Sequence, residues 1–511
     1  SLLAPLCLLA AMVLGCARGA DRGPTEGSTI TMLYPIDERG LGPVPGEASQ
    51  FLVFMPLVAF TADGELEGRL ARSWEHSPDF RTWTIHLRTD VRWQDGVPVT
   101  AHDMKFTLDL YRHPDVGWAP QDAYAVTVLD DSTYTIQYNR RSIGSPLDYW
   151  TIYLPKHLLE GLDPKDFADW AFWKRPIGNG PYRHVRTVPK TMIEVEASPD
   201  YYRGEPTIKR VVLKFGVASL TELVSGNVDA IININRTDLL KLEGDPRFQV
   251  HHYAFWVQET AVYWNQRFLP FEDPKVRRAL SLAINRPELH KLINLPEGTP
   301  AFDVIFTEQQ YRRGEIPEPL PHDREGAKRL LDEARWRDAD GDGIRERDGA
   351  PFSFTMLIMK AAWTGATSRE QAAVYIQDQL AEIGIEMNIL SLDLMAGRER
   401  WRAGEFEAAI VTSMGGEPGH LARFSTDRAT GHRYGTVASL LGQAATTLNP
   451  LEVDSLYRET WKVFQAELPI TGLYPTLWTS VTHRRVRGLS SPYRADPAWY
   501  MDELWLEEPS E

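Results

Sequence analysis

The sequence predicts a mixed α/β chain of more than one domain. Strand-like and helix-like segments alternate along its whole length, which favours layered α/β architecture over separate all-α and all-β parts. No low-complexity tract and no short fixed repeat interrupts them. Its 511 residues exceed one domain of about 150 residues several-fold and can bury large cores without disulfides or structural metals. With 43% hydrophobic and 11% aromatic residues the chain is not disordered. A formal charge of −15 argues against nucleic acid as a partner.

The elements follow in chain order. Leu2 to Leu14 is almost wholly apolar and uncharged, too short to span a bilayer, and reads as the core of a signal peptide. Ser1 in place of Met, with no positive leader, reads as a clipped start. Residues 17–28 form a Gly- and charge-rich tether. Residues 82–88 and 133–138 alternate apolar and polar side chains as half-buried strands, with a turn at Gln94-Asp95-Gly96. Thr100 and Asp103 open a helix over 101–111 in capping-box positions. A β-branched strand is expected at 208–215 and a short helix at 219–225 that stops at Gly226. A buried strand is expected at 229–234. The helix at 273–284 places Val276, Leu280 and Ile284 on one face and the pair Arg277 and Arg278 on the other. The helix at 323–336 turns Ala327, Leu330, Leu331 and Ala334 inward. A third, at 370–383, leads into a strand at 385–390. The Pro-rich stretch 286–322 reads as an extended surface connection.

Both cysteines fall in the first 16 residues. Val13-Leu14-Gly15-Cys16 resembles the lipobox of bacterial lipoproteins. That resemblance implies cleavage before Cys16 and its lipidation, with residues 1–16 as signal and lipobox. Cys7 leaves with the signal, so the mature body has no thiol chemistry.

A second resemblance rests on ordered blocks. These are Leu70-Ala71-Arg72-Ser73-Trp74-Glu75, residues 83–88, Val91-Arg92-Trp93-Gln94-Asp95-Gly96 and Val99-Thr100-Ala101-His102-Asp103. Pro176-Ile177-Gly178-Asn179-Gly180-Pro181-Tyr182 follows, then residues 225–229, Tyr263-Trp264-Asn265, residues 273–280 and Asn285-Arg286. This series resembles the family 5 extracytoplasmic solute-binding proteins, the oligopeptide-, dipeptide- and nickel-binding group of ABC importers. The resemblance implies a periplasmic-binding-protein-like two-lobed fold (class II, cluster C type) with an extra third domain and two crossover strands as hinge. Lobe I would take 29–50, 173–262 and 480–511, the extra domain 51–172, and lobe III 263–479. The crossovers would lie near residues 263–265 and 474–482.

It also implies function: a monomeric binding protein, exported and lipid-anchored at a bacterial membrane, that passes a small solute to a membrane permease. Peptide is the first choice of solute; an oligosaccharide or other non-peptide solute is the alternative. Peptide binders of the family anchor the amino group on an Asp in lobe III. Here the matching stretch is Ser413-Met414-Gly415-Gly416-Glu417-Pro418, with Gly in place of that Asp, so Glu417 is the candidate substitute. Asn233 matches a ligand-contacting position. Trp256, Tyr263 and Trp264 near the first crossover, and Tyr474 and Trp478 near the second, are candidate stacking surfaces. No cofactor is required. Calcium is the one ion the sequence suggests, because Asp338, Asp340 and Asp342 open an EF-hand-like loop with Glu346 ninth and Asp348 eleventh; the twelfth position, normally Glu, is Gly349. The rival class is an exported hydrolase. Its signatures are missing: no Gly-x-Ser-x-Gly elbow, no His-Glu-x-x-His, no phosphate loop, and 13 scattered His.

Overall fold

The computed structural model describes residues 28–34, 41–42, 48–61, 65–117, 121, 123–139, 151–216, 219–234, 236–242, 244–295, 299–306, 310, 313–360, 366–414, 435–444, 447, 450–489 and 496–507. One ten-stranded sheet runs through them. Its spatial order is Glu386–Asp393, Ser353–Lys360, Ala408–Met414, Phe248–Trp264, Ile470–His483, Ala230–Ile231, Thr29–Tyr34, Arg210–Phe215, Met192–Ala197 and Tyr182–Val188. The two longest strands, Phe248–Trp264 and Ile470–His483, pair antiparallel at its centre. They carry the chain from one half of the sheet to the other.

In the first half, Thr29–Tyr34 lies parallel between Arg210–Phe215 and Ala230–Ile231. Parallel strands need both faces covered. One face carries Ile30, Met32, Val211 and Leu213; the other carries Leu33, Ile231, Phe248 and Val481. Asp229 locks this half to the end of the second long strand. Its carboxylate accepts from Thr31 N at 2.8 Å and pairs with Arg485, and its carbonyl accepts from His483 N at 2.7 Å. Only Ala230–Ile231 pairs as strand in the stretch expected at 229–234, because Asn233 turns the backbone to φ +53°.

The expected strands at 82–88 and 133–138 form the middle of a separate four-stranded antiparallel sheet, ordered Ala71–His76, Thr82–Leu87, Thr133–Tyr138, Tyr124–Asp130. The helix Ala101–Tyr111 packs on it. The Thr100 N–H and hydroxyl both donate to Asp103 Oδ2, at 2.8 and 3.1 Å, while Asp103 Oδ1 accepts from Lys156 N at 2.9 Å. This sheet shares a continuous core with the first half of the large one, from Ile30 and Met32 to Trp93, Tyr134 and Tyr153. Gly178 is required at that junction: a Cβ there would lie 1.8 Å from the Val53 carbonyl oxygen. Asn179 beside it accepts from Met55 N at 2.9 Å.

In the second half, Ser353–Lys360 is the parallel centre between Glu386–Asp393 and Ala408–Met414. Helices Pro274–Ala283, Arg324–Glu333 and Ala366–Ala381 cover one face, with Val276, Leu280, Ala327, Leu331 and Ile376 buried. The third helix starts four residues before its expected bound.

Two expectations are corrected here. Arg277 is not on a solvated face; it is 1% exposed and donates to the carbonyls of Phe271, Glu272, Glu467 and Leu468. Nor is 286–322 a surface connection throughout. It forms the helix Arg286–Leu292 and buries Phe302, Val304 and Phe306 in the core on the other sheet face. Its apolar residues are too few and irregular to show periodicity, so the pattern missed them.

A buried ion pair fixes that segment. Arg286 and Asp303, 4% and 5% exposed at the side chain, meet at 2.9 Å; Arg286 Nε donates to Gly472 O at 2.7 Å, and Asp303 accepts from Gly472 N at 2.8 Å. Removing one partner of such a pair strands the other charge. Asp303→Ala is therefore expected to lower unfolding stability by about 3–5 kcal/mol. A loss under 1 kcal/mol in urea titration would refute the central role given to the pair.

Asp496 gives a pH prediction. Burial pushes its carboxyl up to about 6, against hydrogen bonds from Tyr34 OH at 2.5 Å and Ala498 N at 2.9 Å. The folded state thus holds a proton that the unfolded state releases near 3.8. Stability from this group is complete below pH 4 and is lost as pH rises through 6, by about 3 kcal/mol at 1.4 kcal/mol per unit. Asp496→Asn keeps the acceptor and cannot ionise. The stability of the natural protein minus that of the variant should fall by that amount between pH 4 and pH 7; a flat difference sinks the assignment.

Candidate functional site

The centre of the molecule is where the two long strands stop pairing. The ladder is intact at Tyr253 with Trp478 and again at Gln258 with Thr476, but residues 254–257 on one strand face residue 477 alone on the other. Backbone groups freed by such a register break need other partners.

Both sets of parallel strands point their carboxyl ends at this break. Ala408–Met414 runs antiparallel to the first long strand and ends with Met414 opposite Gln258. Ser353–Lys360 and Glu386–Asp393 run parallel with it. On the other side, Ile231 pairs with Val481, and the chain continues until Ile234 N donates to Thr479 O at 2.8 Å. In open α/β sheets ligands bind outside the carboxyl ends of the strands. Here two such ends face each other across the break, which makes a cleft between the halves the candidate site.

The predicted residues distribute unevenly about it. Asn233 stands at the cleft end of the first half, its N–H 3.4 Å from Ser480 Oγ. Trp256 lies in the unpaired stretch of one long strand, and Trp478 at the last pair of the other. Met414 ends its strand at the break, while Gly415 and Glu417 lie outside the described residues, as does Cys16. Tyr263 and Trp264 stand apart from the break, deep in the second half. Trp264 is 0% exposed, with Nε1 donating to Thr471 Oγ1 at 3.0 Å; Tyr263 packs edge-on against Trp401 at 5.3 Å. These two are core side chains.

Tyr474 is nearer the cleft. It shares a row with Thr260 and Thr412, because Thr260 pairs directly with both, and paired residues point to the same face. The Thr260 and Thr412 hydroxyls meet at 2.9 Å. Arg369, in the first turn of the helix Ala366–Ala381 on that face, is 3% exposed, and burial lowers its pKa against the opposing influence of Tyr474 and Glu370. The sequence offered no signal for Arg369, because an Arg just before a helix's expected start looks like an ordinary polar residue.

Known proteins resemble this chain over most of its length. The model of the bacterial extracellular solute-binding proteins, family 5 Middle, matches residues 65–433. A Brucella ovis protein with a provisional name as an ABC transporter peptide-binding protein is 28% identical over 457 residues, 84% of this chain and 81% of its own. The nickel-binding periplasmic protein of Escherichia coli is 26% identical over 422 residues, 79% of this chain and 78% of its own. Among solved structures, the oligopeptide-binding protein AppA of Bacillus subtilis in complex with a nonapeptide superposes with a TM-score of 0.77 at 20% identity, covering 95% of this chain and 100% of that one.

The Asp-rich turn lies elsewhere, after the helix Arg324–Glu333. Oxygens of Asp338, Asp340 and Glu346 lie within 4.8 Å of one another; Asp342 and Asp348 are outside the group. Backbone donors already occupy these carboxylates. Asp338 accepts from Gly341 and Gly343 N–H at 2.7 and 3.1 Å, and Glu346 from Ala339 N–H at 2.8 Å. Three half-occupied carboxylates without a bidentate Glu suit at most the weak, millimolar end of calcium affinity. The thermal midpoint should be the same in EDTA and in about 10 µM calcium, and rise only in the millimolar range. A micromolar midpoint shift would overturn that ranking.

Proposed function

The chain belongs to the bacterial extracellular solute-binding proteins of family 5, and we propose that it captures a peptide in the cleft between its two sheet halves for delivery to the membrane permease of an ABC importer. The observation that carries this reading is the pair of facing carboxyl ends joined by two strands with a break at 254–257 and 477. Two rigid halves joined only there can close on a solute, and the solute's contacts with both supply the free energy of closure. Peptide is favoured by the relatives named for peptide binding and by the nonapeptide in the AppA structure.

The amine anchor is then Glu417, since the resemblance puts a Gly of the stretch 413–418 where peptide binders of the family carry Asp. Asn233, Trp256 and Trp478, in the chain at the break, and Met414 with Gly415 next to it in sequence are the further proposed contacts. A non-peptide solute is the second reading. The same loss of the Asp favours it, as does the nickel-binding relative, and Trp256 and Trp478 are then the proposed stacking surfaces for sugar rings. No catalytic group enters either reading, and neither needs a cofactor.

The location is extracytoplasmic, and among the described residues no helix is long and apolar enough to cross a membrane. Cys16 as lipid anchor, residues 17–28 as tether and a monomeric state complete the proposal. An unmodified Cys16 thiol in membrane-extracted protein would remove the anchor from it.

Native mass spectrometry of the purified protein is expected to reveal a bound mass that leaves on unfolding and fragments into amino-acid residues. A hexose ladder would decide for the second reading. Calorimetry with short peptides should then give binding that Glu417→Ala weakens at least about tenfold, equivalent to 1.4 kcal/mol. Unchanged affinity in that variant removes Glu417 as anchor.

A further inference from the structure

A cavity separate from the cleft lies beside the four-stranded sheet. It encloses about 390 Å³, within the range of small-molecule sites. Four segments wall it: residues 88–89 after the strand Thr82–Leu87, residues 97–103 leading into the helix Ala101–Tyr111, the turn 131–132, and residues 156–160. None of these residues belongs to the ten-stranded sheet. Hydrogen bonds tie the segments to one another. Leu87 N donates to Ser132 O at 2.7 Å, Ala101 N to Asp131 O at 2.8 Å, and Lys156 N to Asp103 Oδ1 at 2.9 Å. The cavity is thus built into this part of the chain.

Its wall carries both signs of charge and an apolar strip, Val97 to Val99, of which Val97 is 38% exposed. Arg88 and Lys156 are the fixed cations; Asp131 and Glu160 are the accessible anions. Asp103 also lines the cavity, but both its carboxylate oxygens already accept, from Thr100 and from Lys156 N. His102 and His157 each stand beside a carboxylate, Asp131 at 3.5 Å and Asp95 at 2.7 Å. The charges keep capacity for a ligand. Arg88 donates from Nε and Nη2 to Asp90 at 3.0 and 2.7 Å, and its guanidinium lies 4.4 Å from the centre of the Tyr202 ring. Its Nη1 has no hydrogen-bond partner among the described residues. A fork held on two sides is in place before a ligand arrives. Asp131 faces His102 through Oδ1, and Glu160 lies 3.4 Å from Lys156 through Oε1; the second oxygen of each has no hydrogen-bond partner among the described residues. With Asp131 85% and Glu160 65% exposed at the side chain, these pairs are weak, and a ligand exchanges them at little cost.

We propose that this cavity is a second binding site, for a small zwitterion with an apolar side chain, of the amino-acid type. Its anionic group lies against Arg88, its ammonium against Asp131 and Glu160, and its side chain on Val97 and Val99. The balance of charge decides the class. A simple anion meets the two carboxylates and a simple cation meets Arg88 and Lys156, whereas separated charges on one neutral ligand answer both signs. The site stands apart from solute capture, because it shares no residue with the break. A free amino acid and an ethanolamine phospholipid headgroup both offer this chemistry, and the test separates them.

Calorimetry on the full chain with leucine, leucinamide and N-acetylleucine tests it. The three share a side chain and carry both charges, the cation alone and the anion alone. Leucine should bind at least tenfold more tightly than either derivative. The double variant Asp131→Asn, Glu160→Gln changes two exposed side chains that folding does not need; it should weaken leucine at least tenfold and remove its advantage over N-acetylleucine. Arg88→Lys keeps the charge without the fork and should weaken leucine while leaving leucinamide unchanged. Equal binding of the three probes overturns the site, and so does leucine binding that neither variant alters. Glycerophosphoethanolamine binding in place of leucine, and weakened by the same variants, would uphold the zwitterion site and make a phospholipid headgroup its source. Binding of neither overturns it. Peptide capture is read separately through Glu417→Ala, so either proposal can fail alone.

Discussion

The whole arrangement depends on the pairing of Phe248–Trp264 with Ile470–His483. A strand that leaves one sheet half and enters another must keep its backbone groups bonded on both sides. It does so through two separate ladders, one ending at Tyr253 with Trp478 and the other starting at Gln258 with Thr476. All else in the cleft follows. The parallel neighbours of each ladder are fixed in direction by it, so their carboxyl ends converge on the gap from opposite sides. A solute site at that gap is a consequence of strand direction before any side chain is considered.

The ends of the second long strand are held unusually firmly. At its start, three cationic or potentially cationic side chains bond main-chain carbonyls within a few residues: Arg277 to Glu467 and Leu468, Arg286 to Gly472, and His290 Nε2 to Leu473 O at 2.7 Å. At its far end, Asp229 and Arg485 tie it to Thr31. Between these clamps lies the break. Stiff attachment on either side concentrates any change of angle into the few residues that have no ladder partner, which is how a hinge is localised.

Much of the frame was legible from local rules. The strand at 133–138 and the helix at 101–111 agree with their expected bounds, because alternation and a capping box are properties of adjacent residues. What was not legible depends on distant residues. Arg277 sits in a helix whose pattern puts it on the wet side; the carbonyls of Phe271 and Glu272 and, from far along the chain, those of Glu467 and Leu468 satisfy it once buried. Phe302, Val304 and Phe306 belong to a segment without period, and the Arg286 and Asp303 pair that docks it is a tertiary event. For the site, proximity in sequence misled for Tyr263 and Trp264, which lie on the crossing strand but past the cleft. Tyr474 stood out only as an aromatic. Its place in the row with Thr260 and Thr412 emerges only from the strand pairing.

The two halves also divide the chemistry of recognition. The first half brings to the break a turned backbone at Asn233 and hydroxyls such as Ser480, groups that can bond any peptide-like or sugar-like backbone. The second half brings fixed charge in Arg369, Lys360 and the amino end of a helix. A protein with a net charge of −15 repels anions at long range, so long-range steering does not favour an acidic solute over a neutral or basic one. Selection then rests on short-range contacts within the cleft, where exclusion of water lowers the local dielectric and strengthens each hydrogen bond and ion pair made to a solute.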